Sequence, residues 1–100
     1  MIIYNETFVV ETSAQTEWLQ WMKQEHIPAA LATGYFNSYK ILEVIDSPNE
    51  GVTYCIQYFT DDISKYHLFR DRHLQHLHTR HHKQFENRYV LFNSIMKTIS

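Results

Sequence analysis

The sequence predicts an α+β protein with element order β-α-β-β-α-β, and three observations carry that prediction. Three stretches near the start, middle and end are dense in β-branched and aromatic residues. Two longer stretches between them place apolar residues at helical spacing. Turn residues cluster where one kind of pattern gives way to the other. With 100 residues and a hydrophobic share of 44%, the chain is expected to form one domain over residues 1–100 and to bury a real core.

Residues 2 to 11, I-I-Y-N-E-T-F-V-V-E, read as the first strand. Thr12 and Ser13 offer caps for a helix beginning near Ala14, with Thr16 and Glu17 in its first turns. At about 100° per residue, Trp18, Trp21, Met22 and Glu25 share one face, with Leu19 and His26 at its margin. Pro28 lacks a backbone donor and restricts Ile27, so the helix is expected to kink or end there and resume as P-A-A-L-A-T. Gly34 stops it.

Residues 35 to 45 form the second strand, D-S-P-N-E-G a turn, and residues 52 to 60 the third strand, so that the pair makes a hairpin. Asp61 or Asp62 caps a second helix, which carries Ile63, Tyr66, Leu74, Leu77 and Phe85 on an apolar stripe and ends near Asn87. The segment R-Y-V-L-F-N-S-I-M-K-T-I is the last strand. This is the split βαβ, or ferredoxin-like, arrangement: a four-stranded antiparallel sheet with two helices on one face.

Both faces of that sheet are apolar. Tyr4, Phe8 and Val10 oppose Ile3 and Val9, and Val90, Phe92 and Met96 oppose Tyr89, Leu91, Ile95 and Ile99. In the second strand Phe36, Leu42 and Val44 oppose Tyr39, Ile41 and Ile45. Two helices cover one face only, so a homodimer that buries the other, sheet to sheet, is expected.

Composition excludes several classes. Two glycines, two prolines and 15% aromatics rule out a disordered chain. No apolar run reaches the ~20 residues of a membrane span and the N-terminus has no leader pattern, so a cytoplasmic protein without a membrane partner is expected. Cys55, the one cysteine, reads as a small buried hydrophobe of the third strand. Residues 1 to 62 hold nine acids and two bases, while residues 63 to 100 hold two acids and seven bases. The bases Arg70, Arg72, Arg80, Lys83 and Arg88 are spread around the second helix rather than gathered, which argues against a nucleic-acid partner.

The second helix carries His73, His76, His78, His81 and His82. Pairs three or four apart, such as His78 and His82, could share an ion. A zinc site needs further ligands, and neither a cysteine pair nor an H-E-x-x-H is present, so no metal and no cofactor are assigned. His81 returns to the centre of the apolar stripe about five turns after Ile63. There it either donates to a carbonyl or an aromatic hydroxyl in the core, or faces a cavity. Glu25, amid tryptophans, would tend toward a raised pKa unless the kink at Pro28 turns it to the rim. His26 could cap free carbonyls. The expected ligand-binding set between sheet and helices, for a small apolar molecule, is Tyr4, Trp18, Trp21, Glu25, His26 and His81. The catalytic candidates are Glu25, His26, His81 and Asn5.

With W-L-Q-W-M-K-Q-E-H-I-P and T-G-Y-F following a Y-N-E-T-F-V-V opening, the chain resembles the bacterial family labelled domain of unknown function 4286. The likeness extends over S-Y-K, Y-C-I-Q-Y-F and H-K-Q-F. It implies a dimeric α+β barrel, a fold whose relatives include antibiotic-biosynthesis monooxygenases, haem-degrading monooxygenases and muconolactone isomerase-like enzymes. It therefore implies, as an alternative to simple ligand binding, a cofactor-free or haem-dependent monooxygenase. Haem-degrading relatives use an asparagine on the first strand, a tryptophan and an axial histidine. Asn5, Trp18 or Trp21, and His73, His76 or His81 supply those types, although in such relatives the tryptophan is not drawn from the first helix.

Overall fold

In the computed structural model, which describes residues 1–100, four antiparallel strands lie in the order β2-β3-β1-β4. They are β1 (Ile2–Val10), β2 (Ser38–Val44), β3 (Val52–Thr60) and β4 (Tyr89–Lys97). The predicted β-α-β-β-α-β order and ferredoxin-like sheet are thus observed. No helix is long and apolar enough to cross a membrane.

The alternation of β1 sets the interior. Tyr4, Glu6, Phe8 and Val10 are all buried and lie opposite Tyr58, Ile56, Tyr54 and Val52 of β3. On the other side β1 pairs with β4, where Asn93 stands across from Glu6 and Leu91 from Phe8. The intervening residues face away from the helices. Phe36 is a correction to the expected second strand, because it precedes β2 and joins the core against Tyr58 and Phe69, at ring separations of 5.2 and 4.8 Å. Leu42 and Val44 lie on the opposite, open face, and β2 itself is exposed along most of its length. Cys55 is half-buried on that open face beside Thr7 (3.5 Å), rather than in the core.

Both helices contain a π turn, and this is where the helical projections fail. The first helix spans residues 15–32: α-helical Gln15–Trp21, π-helical Met22–His26 and α-helical Ile27–Ala32. Its start is not capped by Thr12 or Ser13, which form a short 3-10 turn without a side-chain cap. Pro28 neither ends nor breaks the helix. Its ring needs room beside the preceding turn, and the wider π turn just before it supplies that room. The inward residues become Ala14, Trp18, Met22, His26 and Ile27, a spacing of four in place of the α-helical alternation of three and four. The extra residue sends His26 inward and Glu25 out.

The second helix spans residues 63–85: α-helical Ile63–Phe69, π-helical Arg70–Leu74 and α-helical Gln75–Phe85. Asp62 caps it, its carboxylate accepting from the Ser64 backbone N–H at 2.9 Å. The inward residues Phe69, Leu77, His81 and Phe85 are buried, but Ile63 is 41% exposed. The π turn adds one residue between Ile63 and His81, so the two do not share a face as an unbroken α-helix would require. The helix also stops two residues earlier than expected, at Phe85, with Asn87 in the left-handed region at φ 65°.

The open face of the sheet carries Ile3, Leu42, Val44, Val90, Phe92 and Met96. Phe92 is 60% and Val90 52% exposed. An apolar strip of this extent on a lone subunit is unusual for a soluble chain.

Gly51 fixes the entry to β3. It has φ +90°, and a Cβ placed there would stand 2.5 Å from the Val10 carbonyl oxygen. Gly34 has φ +83° but open space around it. Gly34→Ala should therefore cost only the left-handed penalty of about 1–2 kcal/mol. Gly51→Ala should cost more, because backbone must also move. Urea denaturation of the two variants gives the comparison.

Candidate functional site

Glu6 sits in the middle of β1 on the helix side and is 1% exposed. Strand alternation places it there between Tyr4 and Phe8, and both helices reach over it. A carboxylate offers only lone pairs, so each nitrogen or hydroxyl facing it must donate. His26 Nε2 of the first helix donates to Oε1 at 3.2 Å. His78 Nε2 of the second helix donates to Oε2 at 2.7 Å, and the Tyr4 hydroxyl donates to the same oxygen at 3.1 Å. Asn93 Nδ2 on β4 in turn reaches the Tyr4 oxygen at 3.4 Å. Burial alone would raise the Glu6 carboxyl; His26 and then His78, held against it, outweigh that and keep the group down at about 2. The Tyr4 hydroxyl moves the other way, far above its ordinary value, through burial and the adjacent Glu6 charge.

A second polar pair lies beside the first. The Trp18 indole N–H, which can only donate, gives its proton to His81 Nε2 at 2.8 Å. His81 therefore carries its own proton on Nδ1 and is neutral. Burial, reinforced by neighbouring His26, lowers its pKa to about 3. Trp21 closes over this seam, its ring 6.0 Å from His26, 5.8 Å from His81 and 5.6 Å from Phe85. His26 Nδ1 and His81 Nδ1 are buried without a protein partner.

The open space lies elsewhere than between the sheet and the first helix. Trp18 fills that region, with Phe8 and Tyr54 each 5.1 Å away. The second helix and β4 instead enclose a trough made of two depressions that share Arg70 and Leu74. One, of about 700 Å³, is lined by Leu74, His78, His82, Lys83, Tyr89 and Leu91, among others. The other, of about 420 Å³, is lined by Tyr4, Tyr66, Arg70, Asn93 and Ile95, among others. His78 and Tyr4 connect the trough to the buried carboxylate. On the trough wall His82 Nδ1 hydrogen-bonds the Tyr89 hydroxyl at 2.9 Å, and burial raises that hydroxyl's pKa.

Of the residues singled out in the sequence, Tyr4 and His26 meet at Glu6, and Trp18, Trp21 and His81 pack together behind them. Glu25 is exposed and faces Arg80 at 3.6 Å, because of the π turn. Asn5 points to the open face of the sheet, where its amide donates to Thr7 Oγ1 at 2.9 Å. His81 accepts from an indole, so neither expectation holds: it donates to no carbonyl or hydroxyl, and it lines none of the depressions. Glu6 and Asn93 escaped the sequence reading, and His78 entered it only as a candidate metal ligand. The signal for Glu6 was present, since period-two alternation in β1 makes it the single charged residue on a strand face of Tyr, Phe and Val.

Within the chain no group of three His, Cys, Asp or Glu side chains is placed to hold an ion. Of the residues named for a haem site, Asn5 is on the far face of the sheet and His81 Nε2 is occupied by the Trp18 indole N–H.

The buried polar seam carries a pH prediction. The folded His81 binds its proton only near pH 3, whereas an unfolded histidine binds near 6.5. The unfolded state thus takes up more protons across that window, and stability is lost as pH falls below about 6.5. Glu6 adds a further loss between about 4.5 and about 2, because its carboxylate must be protonated. Unfolding free energies from urea denaturation between pH 7 and 4.5 should fall with a slope approaching one proton, about 1.4 kcal/mol per pH unit. His81→Gln, whose amide oxygen can still accept from Trp18, should flatten this limb.

Comparison with known proteins places this geometry. No curated protein matches the chain. Among solved structures, an EthD (ethyl tert-butyl ether D) family protein from Bacillus halodurans is similar at TM-score 0.67 and 14% identity, with 99% of this chain and 100% of that one covered. An antibiotic biosynthesis monooxygenase is similar at TM-score 0.62 and 11% identity over 100% of both chains. SnoaB, a cofactor-independent oxygenase from Streptomyces nogalater, is similar at TM-score 0.56 and 10% identity over 99% of this chain and 93% of that one. At these identities the likeness is one of fold alone, the ferredoxin-like α+β arrangement described above. One family is matched through sequence over residues 1–99, and the chain belongs to it: Domain of unknown function (DUF4286).

Proposed function

We propose that the protein is a homodimer of α+β barrel subunits, each one domain over residues 1–100, that binds a small, largely apolar ligand in the trough between the second helix and β4. The observation that carries this reading is the pairing of apolar trough walls, Leu74, Tyr89 and Leu91, with a buried polar network that reaches the same space through His78 and Tyr4. Ligand sites have this make-up: apolar lining with a few fixed polar groups. Tyr4 and His78 touch the ligand, Glu6, His26 and Asn93 hold them in place, and Trp18, Trp21 and His81 form the packing behind. The dimer is supported by the exposed Val90 and Phe92 on the open sheet face, which a second copy would cover. A cofactor-free monooxygenase working in the same trough is the second reading, supported by the likeness to SnoaB and by the 2.7 Å contact between Glu6 and His78.

Two measurements test the proposal. Light scattering at micromolar concentration should give twice the chain mass for the native protein and the single-chain mass for Phe92→Glu; a single-chain native mass sinks the dimer. An NMR titration with 4-nitroanisole, a flat neutral probe, should move the amides of Leu74, Thr79 and Leu91. Leu74→Trp, which fills the trough, should weaken that binding at least tenfold. Shifts scattered over the surface, or unchanged by Leu74→Trp, would sink the trough.

A further inference from the structure

We infer that His78, backed by Glu6, accepts a proton from the ligand, and that the ligand is a ring-bearing O–H acid of the phenol or enol class. This rests on the small-ligand reading of the trough and specifies its chemistry.

Proton placement comes first. Glu6 Oε2 can only accept, so the His78 nitrogen 2.7 Å away holds the ring's proton. His78 makes its hydrogen bonds through Nε2 alone. In the neutral ring Nδ1 therefore keeps a lone pair with no protein donor to satisfy it. The side chain is 24% exposed and lines the larger depression, so solutes reach it. Glu6 cannot turn away, because His26 and Tyr4 hold it from two further directions. The arrangement is an imidazole oriented by a fixed carboxylate, one nitrogen bound and one free, which is the layout of a general base.

The surrounding charge selects the acid. Arg70, His82 and Lys83 line the trough, and no carboxylate lines either depression. Arg70 is paired with Asp71 at 2.9 Å and His82 stands 3.9 Å from Glu86, so Lys83 is the lining cation with no carboxylate partner. A neutral hydrocarbon would leave Lys83 and the free His78 nitrogen unused, while an aliphatic carboxylate would already be ionised and would need no base. A phenol or enol uses both. Its ring lies against Leu74 and Leu91. Its O–H bond breaks as the proton passes to His78 Nδ1 and an N–H bond forms. The electron pair stays on oxygen, which becomes an oxyanion facing Lys83, while the new imidazolium is paired with Glu6. No oxidant or reductant takes part in this step.

The test uses 4-nitrophenol beside its methyl ether, 4-nitroanisole, which has the same ring and no proton to give. Binding is read from amide shifts, and ionisation from the visible phenolate band, in buffer one pH unit below the phenol's own pKa. The native protein should bind both probes and shift the bound phenol at least about tenfold toward phenolate, equivalent to about 1.4 kcal/mol. His78→Phe and His78→Gln, whose folds the amide spectrum checks, should bind 4-nitroanisole more weakly, having lost the imidazole contact, and at saturating probe should leave the bound phenol protonated. A bound phenol without the phenolate band, or a band that survives both His78 variants, overturns the proton-acceptor role while leaving the trough standing. Failure of both probes to bind overturns the trough and this inference with it.

Discussion

A carboxylate taken out of water costs several kcal/mol unless it is paired and hydrogen-bonded, and Glu6 is enclosed almost completely. Much of the structure answers that one constraint. The first helix delivers His26, the second delivers His78, β1 itself delivers Tyr4, and β4 steadies Tyr4 through Asn93. Four of the elements around the core thus converge on a single side chain. Breaking a buried pair of this kind typically costs about 3–5 kcal/mol, which is a large part of the stability of a domain this size. The charge therefore fixes how the two helices lie across the sheet, as well as what the space between them can do.

The polar seam also divides the interior by function. On the side of the first helix, Trp18 with Phe8 and Tyr54 leaves no room, and His81 is held neutral as an acceptor for an indole. On the side of the second helix and β4 the packing thins, and the same carboxylate comes within one imidazole of open space. A buried charge near a solvent-reachable ring is costly for stability alone, a pattern typical of functional sites, whereas the tryptophan side is close packing.

Sequence patterning made the sheet legible, because a period of two survives along a strand whatever happens nearby. β3 was located to the residue, and the facing of β1 and β4 followed from alternation alone. The helices were legible in existence but not in face. One additional residue in each π turn rotates everything beyond it, so Glu25 and Ile63 were placed inward when they are exposed, and Phe69 was not singled out. His26 and His81 are recognisable by type, and Tyr4 by its strand face, yet Glu6, the partner of His26 and Tyr4, is one acid among eleven. Long-range pairing, 72 residues apart for Glu6 and His78, has no local signature.

The π turns give helix winding a meaning that residue identity does not capture. A π turn takes up one residue more than an α turn, so removing a residue between Met22 and His26 while that turn relaxes to α-helix would leave the residues on either side facing as they do now. Straightening the turn with all its residues kept would instead advance everything beyond it by about 100° and carry the His26 imidazole off the carboxylate without a substitution having occurred. The same holds for the turn between Arg70 and Leu74 and the position of His78. In this fold the winding of each helix is itself a determinant of the chemistry at the centre, alongside the identity of the residues it carries.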